Sequence, residues 1–545
     1  MNRHTTRFLI GLGLLAGLSA TLSLQGCRGG SDADGKAIFR YNEVAGIATL
    51  DPAYAKDQAL TWATSQIYNG LVRLDTNLEV EPCIAKRWDI SDDGLTYTFT
   101  LRDDVRFHKS PLFGTPDSTR CVTAGDFLYS LQRILDPKVA SPGLWIFAQV
   151  ADNGFSAPND STFVVKLKEP FGPMLSLLAM PYCSVVPREV VEHYGADFRN
   201  HPIGTGPFKM QYWKEGVKLV LRKNELYFEH DADGTPLPYL DAVAVTFIID
   251  KQTAFLEFVK GNLDFMNSLD ASYKDEILTR TGQLKQKYAD RIDMVSIPFL
   301  NTEYLGFKMD SSGTPLADRR VRQAINYGFD RAKMMKYLRN GVGTPGCGGM
   351  IPAGLAGDSA ASYGYSYRPD ISRRLLAEAG YPDGKGLPPI QMATTSSYVD
   401  LCKYIQQQLS LLGMEVKIDV NPPAALREQI AQGKAAWFRG SWIADYPDAE
   451  NYMSLFYSPN HAPSGPNYTH FTLPAADALY RKAASETDES RRRAMYRAMD
   501  SIAMQEAPVV ILYYDQILHF THKNISGMRT NAMNALDLRY VRKRL

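Results

Sequence analysis

The spacing of apolar residues changes along the chain and predicts two kinds of structure. In the middle, apolar residues alternate with polar ones, most clearly from Leu95 to Leu101, directly after the turn residues Asp93-Gly94. This period-two alternation is typical of half-buried antiparallel strands. After about residue 300 the apolar positions recur at intervals of three and four, as from Tyr398 to Leu412, and an alternating strand, Met414 to Val420, follows. Alternating helices and strands predict an α/β lobe with a covered sheet.

Two apolar segments are predicted to connect this lobe with the earlier part of the chain. They are Ile292 to Gly306 and Gln505 to Tyr514. Two crossings form a hinge, which is the arrangement of bilobal binding proteins that close on a ligand.

The stretch from Ala435 to Asn451 is the strongest candidate for a binding site. A short apolar strand, Ala435 to Phe438, carries one cation, Arg439, and is expected to break at Gly440-Ser441. Asp445 follows six residues after Arg439. The aromatic residues around it are Trp442 and Tyr446. Two opposite charges among aromatic side chains suit a site that encloses a ligand carrying both charges, because a buried ion needs a partner.

The same residues also fit a purely structural role. Asp445 can cap a turn, Arg439 and Asp445 can pair with each other, and Trp442 and Tyr446 can be ordinary packing residues.

The N-terminus has the pattern of an export signal. Arg3 and Arg7 precede an apolar run from Phe8 to Leu24, which is too short for a membrane-spanning helix and ends in Leu24-Gln25-Gly26-Cys27. This ending resembles the lipobox of bacterial lipoproteins. The resemblance implies cleavage after residue 26, a lipid on Cys27 and a polar tether over residues 27–36. A plain secretory signal is the alternative.

Composition excludes several classes of function. Sixty Lys and Arg residues against 59 Asp and Glu residues give a formal net charge of +1, with no basic stripe that would favour nucleic acid. No spacing of His and Cys indicates a metal site, and no catalytic motif is present. The GxGxxG match at Gly341 to Gly346 follows a predicted helix rather than a strand, so it does not predict a nucleotide site. The sequence predicts no enzyme and no cofactor.

Five cysteines follow Cys27. In an oxidising compartment some of them can pair, but an odd number leaves at least one free, and their spacing does not fix any pairing. Cys402 shares the apolar face of a predicted helix and is expected to be buried.

Several segments together resemble the extracellular solute-binding proteins of peptide (oligopeptide and dipeptide) ABC importers. They occur in the family's order and span nearly the whole mature chain: Leu50 to Pro52, Ile67 to Leu71, Ala85 to His108, Gly204 to Phe208, Arg320 to Tyr327 and Trp442 to Tyr446. The resemblance implies an α/β, bilobal periplasmic-binding-protein fold of type II, in its large three-domain peptide-binding class, with a two-segment hinge.

The resemblance also implies domain boundaries. Domain I, the N-terminal lobe, would comprise residues 37–60, 185–295 and 505–545. The inserted domain II would comprise residues 61–184, and domain III, the C-terminal lobe, residues 296–504.

The family captures a ligand outside the cytoplasmic membrane and delivers it to a permease that works with cytoplasmic ATPase subunits. By resemblance, Asp445 would pair with the α-amino group of a short peptide and Arg439 would meet its carboxylate end, with Trp442 and Tyr446 as walls. The chain is expected to be an exported, lipid-anchored monomer in the periplasm or on the outer face of the cell envelope, without a nucleic-acid partner. The chain departs from the family directly after the aspartate. It reads Tyr446-Pro447-Asp448-Ala449, where family members often have Asn or Asp-Pro features.

Two alternatives remain open at this point. The same scaffold can bind a metal chelate, haem, an opine or an oligosaccharide, and a surface lipoprotein can act in sensing or adhesion without a transporter.

Overall fold

The computed structural model describes residues 35–270, 273–356 and 363–545. The predicted signal segment, Cys27 and residues 27–34 of the predicted tether lie outside the described residues.

The chain forms helices and strands from near residue 38 to its end. The strands are β1 Ile38–Asn42, β2 Val72–Leu74, β3 Val80–Pro82, β4 Ala85–Ile90, β5 Thr96–Leu101, β6 Val150–Asn159, β7 Thr162–Leu167, β8 Phe208–Lys214, β9 Lys218–Lys223, β10 Ala242–Thr246, β11 Phe265–Asn267, β12 Ile292–Phe307, β13 Thr344–Pro345, β14 Ile390–Thr394, β15 Val416–Val420, β16 Trp437–Ile443, β17 Val509–His522, β18 Ile525–Ser526 and β19 Arg542–Lys543. The helices are α1 Gln58–Ile67, α2 Ala124–Leu135, α3 Met174–Leu178, α4 Arg188–Tyr194, α5 Lys251–Lys260, α6 Lys274–Ile277, α7 Gln286–Ala289, α8 Arg319–Tyr327, α9 Arg331–Leu338, α10 Ala353–Ala356, α11 Pro369–Glu378, α12 Val399–Ser410, α13 Pro423–Ala431, α14 Glu450–Met453, α15 Pro474–Ala484 and α16 Glu489–Glu506.

One mixed sheet runs through the molecule. Its strands lie in the order β15-β14-β16-β12-β17-β11-β1-β10-β9-β8, and β13 pairs with β17 beside this path. Strands β14 and β15 are parallel, as the alternating helices and strands of the C-terminal third predict.

The two long central strands are shared by both halves of this sheet. The first part of β12 pairs with the last part of β17, on the side where β11 joins, and the second part pairs with the beginning of β17, on the side where β16 joins. Register shifts between Pro298 and Thr302 and between Glu303 and Tyr304 interrupt the ladder between these parts. Such irregularities bend and twist a strand pair, so β12 and β17 are expected to bend near their middle, between the two halves of the sheet. The two predicted crossings are therefore confirmed as strands, although α16 continues to Glu506, where the second crossing was expected to have begun.

A separate antiparallel sheet, β4-β5-β7-β6, follows the first part of the main sheet along the chain. Strand β5 alternates buried and half-buried residues, so the hairpin prediction is confirmed. Helix α2 packs against this sheet and begins with a reciprocal capping box between Thr123 and Asp126, which satisfies two otherwise unpaired backbone N–H groups.

The buried residues form separate cores on the two sides of the long strands. The core under β4–β7 contains Phe99, Phe127 and Phe163, whereas the core between the C-terminal sheet and α8, α9 and α12 contains Trp437 and Cys402. Burial of Cys402 is confirmed. This architecture confirms the α/β bilobal fold; the exact domain boundaries stay a prediction.

The described residues contain no disulfide bond. The unpaired cysteines there are Cys83, Cys121, Cys183, Cys347 and Cys402. In the same part of the chain, every helix is too short or too polar to span a bilayer.

Candidate ligand-binding cleft

Asp445 lies directly after β16, in a loop that is fixed by one amide side chain. The Oδ1 atom of Asn451 accepts hydrogen bonds from the backbone N–H of Asp445 (3.2 Å) and from the indole N–H of Trp442 (2.9 Å). The backbone N–H of Ala444 donates to the carbonyl of Leu300 on β12 (2.9 Å). The loop is therefore anchored to the strand that passes between the two halves of the sheet.

The carboxylate of Asp445 is accessible but enclosed. Its neighbours Ala444 and Tyr446 are buried, whereas Asp445 itself remains open to solvent. Burial by the surrounding protein nevertheless raises the pKa of the Asp445 carboxyl, against the opposing effect of a hydrogen bond from Asn451. Asp445 is therefore reachable from solvent while its carboxyl group is partly desolvated. Within residues 35–270, 273–356 and 363–545, no Lys, Arg or His side chain forms an ion pair with it.

Aromatic residues from a distant part of the chain face this loop. The ring of Trp145 lies 6.0 Å from that of Tyr446, centroid to centroid, and Trp145 is 43% exposed. Tyr182 is close enough for the charges of Asp445 and Asp57 to act on its hydroxyl; burial first, and these two carboxylates second, raise the pKa of Tyr182 to about 12. The cleft thus brings together residues from the beginning, the inserted sheet and the C-terminal part of the chain.

No local pattern in the sequence pointed to Trp145 or Tyr182. Each lies within a short 3-10 helix, Leu144–Phe147 for Trp145 and Pro181–Cys183 for Tyr182.

Trp442 and Tyr446 are positioned by packing. Trp442 is half-buried against the core under α15 and α16, and Tyr446 is buried against the core of the four-stranded sheet. The Tyr446 hydroxyl donates to the carboxylate of Glu450, which also accepts from Tyr480. Burial raises the pKa of Glu450 to about 7. Both aromatic residues therefore border the Asp445 loop, and a contact with ligand stays a prediction for each.

The expected break at Gly440-Ser441 is wrong. Strand β16 continues through both residues to Ile443 and pairs with β12 along its length. Glycine is needed at position 440 for another reason: a Cβ there would lie 2.7 Å from Cζ of the Tyr304 ring, which covers the strand. Since successive side chains of a strand point to opposite faces, Arg439 and Trp442 face opposite sides of the sheet.

Arg439 does not pair with Asp445 but with Glu303 on the neighbouring strand β12. Although burial opposes the charge of Arg439, the Glu303 carboxylate raises its pKa above the ordinary value. The guanidinium also lies over the Tyr398 ring, with Cζ 3.4 Å from the ring centroid. The sequence could not reveal this partner, because it lies 136 residues away.

The described residues contain no group of three or more His, Cys, Asp and Glu side chains arranged to hold a metal ion. The His519 ring bonds to Asn534 (2.9 Å) and that of His522 to the Phe258 carbonyl (2.7 Å), so each histidine has a separate structural partner.

Comparison with known proteins decides the family. Residues 79–464 match the family described as bacterial extracellular solute-binding proteins, family 5 Middle. The chain belongs to this family of solute-binding proteins of ABC importers.

Similarity to known proteins extends over nearly the whole chain. A glutathione-binding protein, GsiB from Salmonella typhi, is 27% identical over 488 residues, which is 88% of this chain and 90% of that protein. The periplasmic binding protein DppA from Helicobacter pylori, solved with the peptide STSA, is 25% identical with a TM-score of 0.75, covering 94% of this chain and 100% of that one. NikA from Brucella suis, solved with Fe(III)-EDTA, has a TM-score of 0.78 at 21% identity, over 93% of this chain and 100% of that one, and shows the shared fold. These relatives are substrate-binding proteins and not enzymes, in agreement with the sequence prediction.

Proposed function

We propose that this family 5 solute-binding protein captures short peptides with a free amino end between its two lobes and delivers them to an ABC permease. The observation that carries the proposal is the carboxylate of Asp445, which is reachable, partly desolvated and without a cation among the described residues. A buried or partly buried charge favours an opposite charge beside it. An ammonium group is the peptide feature that supplies one.

The aromatic surroundings support the same proposal. Trp145, Trp442 and Tyr446 offer flat apolar faces near the carboxylate, and a cation above such faces is further stabilised. Edges of the strands in the cleft can pair with the peptide main chain, which provides affinity without a strict demand on side chains. In this proposal the cleft is formed by domains I and II on one side and domain III on the other, with the boundaries predicted above.

Export and anchoring belong to the proposal as well. The signal segment would be removed and Cys27 would carry the lipid, which holds the domain at the membrane surface through residues 27–36. The protein would act as a monomer. Cys27→Ala is expected to release the protein from the membrane fraction into the soluble fraction of the envelope; continued membrane association would refute the anchor.

The binding proposal is tested by calorimetry with three probes. Trialanine is expected to bind, whereas N-acetyl-trialanine, which lacks the ammonium group, is expected to bind at least tenfold more weakly. Equal binding of both, or binding of neither, would refute the proposal.

Glutathione is the second candidate and the third probe, because the glutathione-binding relatives match nearly the full chain. Glutathione is also a tripeptide-like molecule with a free amino group, so Asp445 would serve it in the same way. Tight binding of glutathione with no binding of trialanine would select that candidate.

A further inference from the structure

Arg439, the cation that the sequence predicts for the carboxylate end of a ligand, is already neutralised by the protein. Glu303 accepts a hydrogen bond from Arg439, and the side chains of these residues are only 4% and 13% exposed. The ring of Tyr398 covers the flat face of the same guanidinium. To reach Arg439, a ligand carboxylate would therefore have to displace the Glu303 carboxylate, which is already desolvated and hydrogen-bonded to the guanidinium.

The surrounding residues hold Glu303 in this position. The Asn301 side-chain amide donates to Glu303 (3.2 Å) and lies 3.4 Å from Asp515. Asp515 in turn pairs with Arg339 (2.7 Å). The network contains two carboxylates and two guanidinium groups, so it carries no net charge that could attract an anion.

The network lies at the hinge. Asn301 and Glu303 stand at the two register shifts of β12, and Asp515 is on β17, the other shared strand. Arg439 is thus tied to the pair of strands that both halves of the sheet share. Its position is fixed by the fold before any ligand arrives.

The acidic side of the cleft has no such compensation. Asp445 is without a cation among the described residues, and Asp57, the N-terminal cap of α1, is a second carboxylate whose charge acts on Tyr182 together with that of Asp445. Asp57 also forms no ion pair within the part of the chain that the structure describes. Within the described residues, these two carboxylates therefore supply negative charge that no ion pair neutralises.

We infer that the cleft selects an amine-bearing cation whose recognition does not require a carboxylate, and that Glu303 determines this specificity by withholding Arg439 from the ligand. This inference rests on the proposed function and narrows it. Peptides with a blocked or distant carboxyl end are then ligands equal to or better than free tripeptides, and an anionic tripeptide such as glutathione is disfavoured.

The test compares trialanine with trialanine amide by isothermal titration calorimetry, within each variant. The wild-type protein is expected to bind the amide as tightly as the acid or more tightly. In Glu303→Gln, Arg439 becomes available, and the ratio is expected to shift at least tenfold in favour of the acid. Because both probes are measured on one preparation, partial unfolding of a variant cancels from the ratio.

The matched control is Glu192→Gln, which removes the carboxylate of an exposed Arg–Glu pair on α4. It is expected to leave the ratio unchanged. A wild-type preference for the acid of tenfold or more, or an unchanged ratio in Glu303→Gln, would overturn the inference.

A second measurement separates failure of the inference from failure of the peptide proposal. Thermal unfolding of Glu303→Gln, Arg439→Gln and the double variant needs no ligand. If the pair exists as described, the double variant melts no lower than the less stable single variant. If the decreases in melting temperature of the two single variants add up in the double variant, the inference is overturned. If they do not add up and neither trialanine nor its amide binds, only the proposal that the ligand is a peptide is overturned.

Discussion

Replacing Asp445 by asparagine removes one negative charge while keeping the size of the side chain and the backbone hydrogen bond to Asn451. Two unit charges 4 Å apart interact by about 4 kcal/mol at the effective dielectric constant typical near a protein surface. Because Asp445 reaches solvent, screening is expected to reduce this interaction energy by roughly half, to about 2 kcal/mol. This is in the range found when one partner of an interfacial charge pair is removed. The dissociation constant for trialanine should therefore rise about 30-fold.

Isothermal titration calorimetry at neutral pH measures this change directly. Asp293→Asn, which alters an exposed aspartate on β12, is the control and should bind like the wild type. Burial raises the pKa of Asp445, so the wild-type affinity should fall on acidification at a higher pH than an ordinary aspartate would give. The Asp445→Asn variant should lack this dependence. An unchanged dissociation constant in Asp445→Asn would refute the anchoring role.

Three predictions concern stability and are read by thermal or denaturant unfolding. Arg492→Met leaves the buried Asp448 carboxylate without its partner at 2.9 Å and should lower the free energy of unfolding by about 3–5 kcal/mol. Adding Asp448→Asn should restore part of this free energy, and no recovery would contradict the pairing. Glu450 has a folded pKa of about 7, above its unfolded value, so its contribution is fully present below the unfolded pKa and is lost as pH rises through about 7. The change in the free energy of unfolding caused by Glu450→Gln should therefore be more favourable at pH 8 than at pH 5. An equal change at both pH values would contradict this. Gly440→Ala should cost about 1–3 kcal/mol by overpacking, whereas Gly125→Ala in the first turn of α2 should be neutral or stabilising; equal effects would contradict the crowding.

Local patterns were sufficient for most of the fold. The alternation in β5 and the apolar spacing of α12 predicted both elements, because each buries one face and the burial pattern repeats in the sequence. Gly440 was misjudged as a strand breaker. Its role depends on the Tyr304 ring packing across it, and that contact comes from another strand.

The site was only half predictable for the same reason. Asp445 stands out in sequence because it follows a buried strand and is surrounded by aromatic residues. Trp145 and Tyr182 lie far earlier in the chain, and no local pattern links them to the loop. Arg439 stands out in the sequence as a cation six residues before Asp445, but its partner Glu303 is brought to it by strand pairing, which the spacing along one segment does not contain.

The most direct test of the central claim is the identity of the ligand that the protein itself retains. A soluble form that begins at Arg28 is purified without added ligand and denatured, and the released molecules are identified by mass spectrometry. We expect short peptides with free amino ends, enriched in species of net positive charge. A single released species without an amine, such as an anionic metal chelate or a sugar, would contradict it.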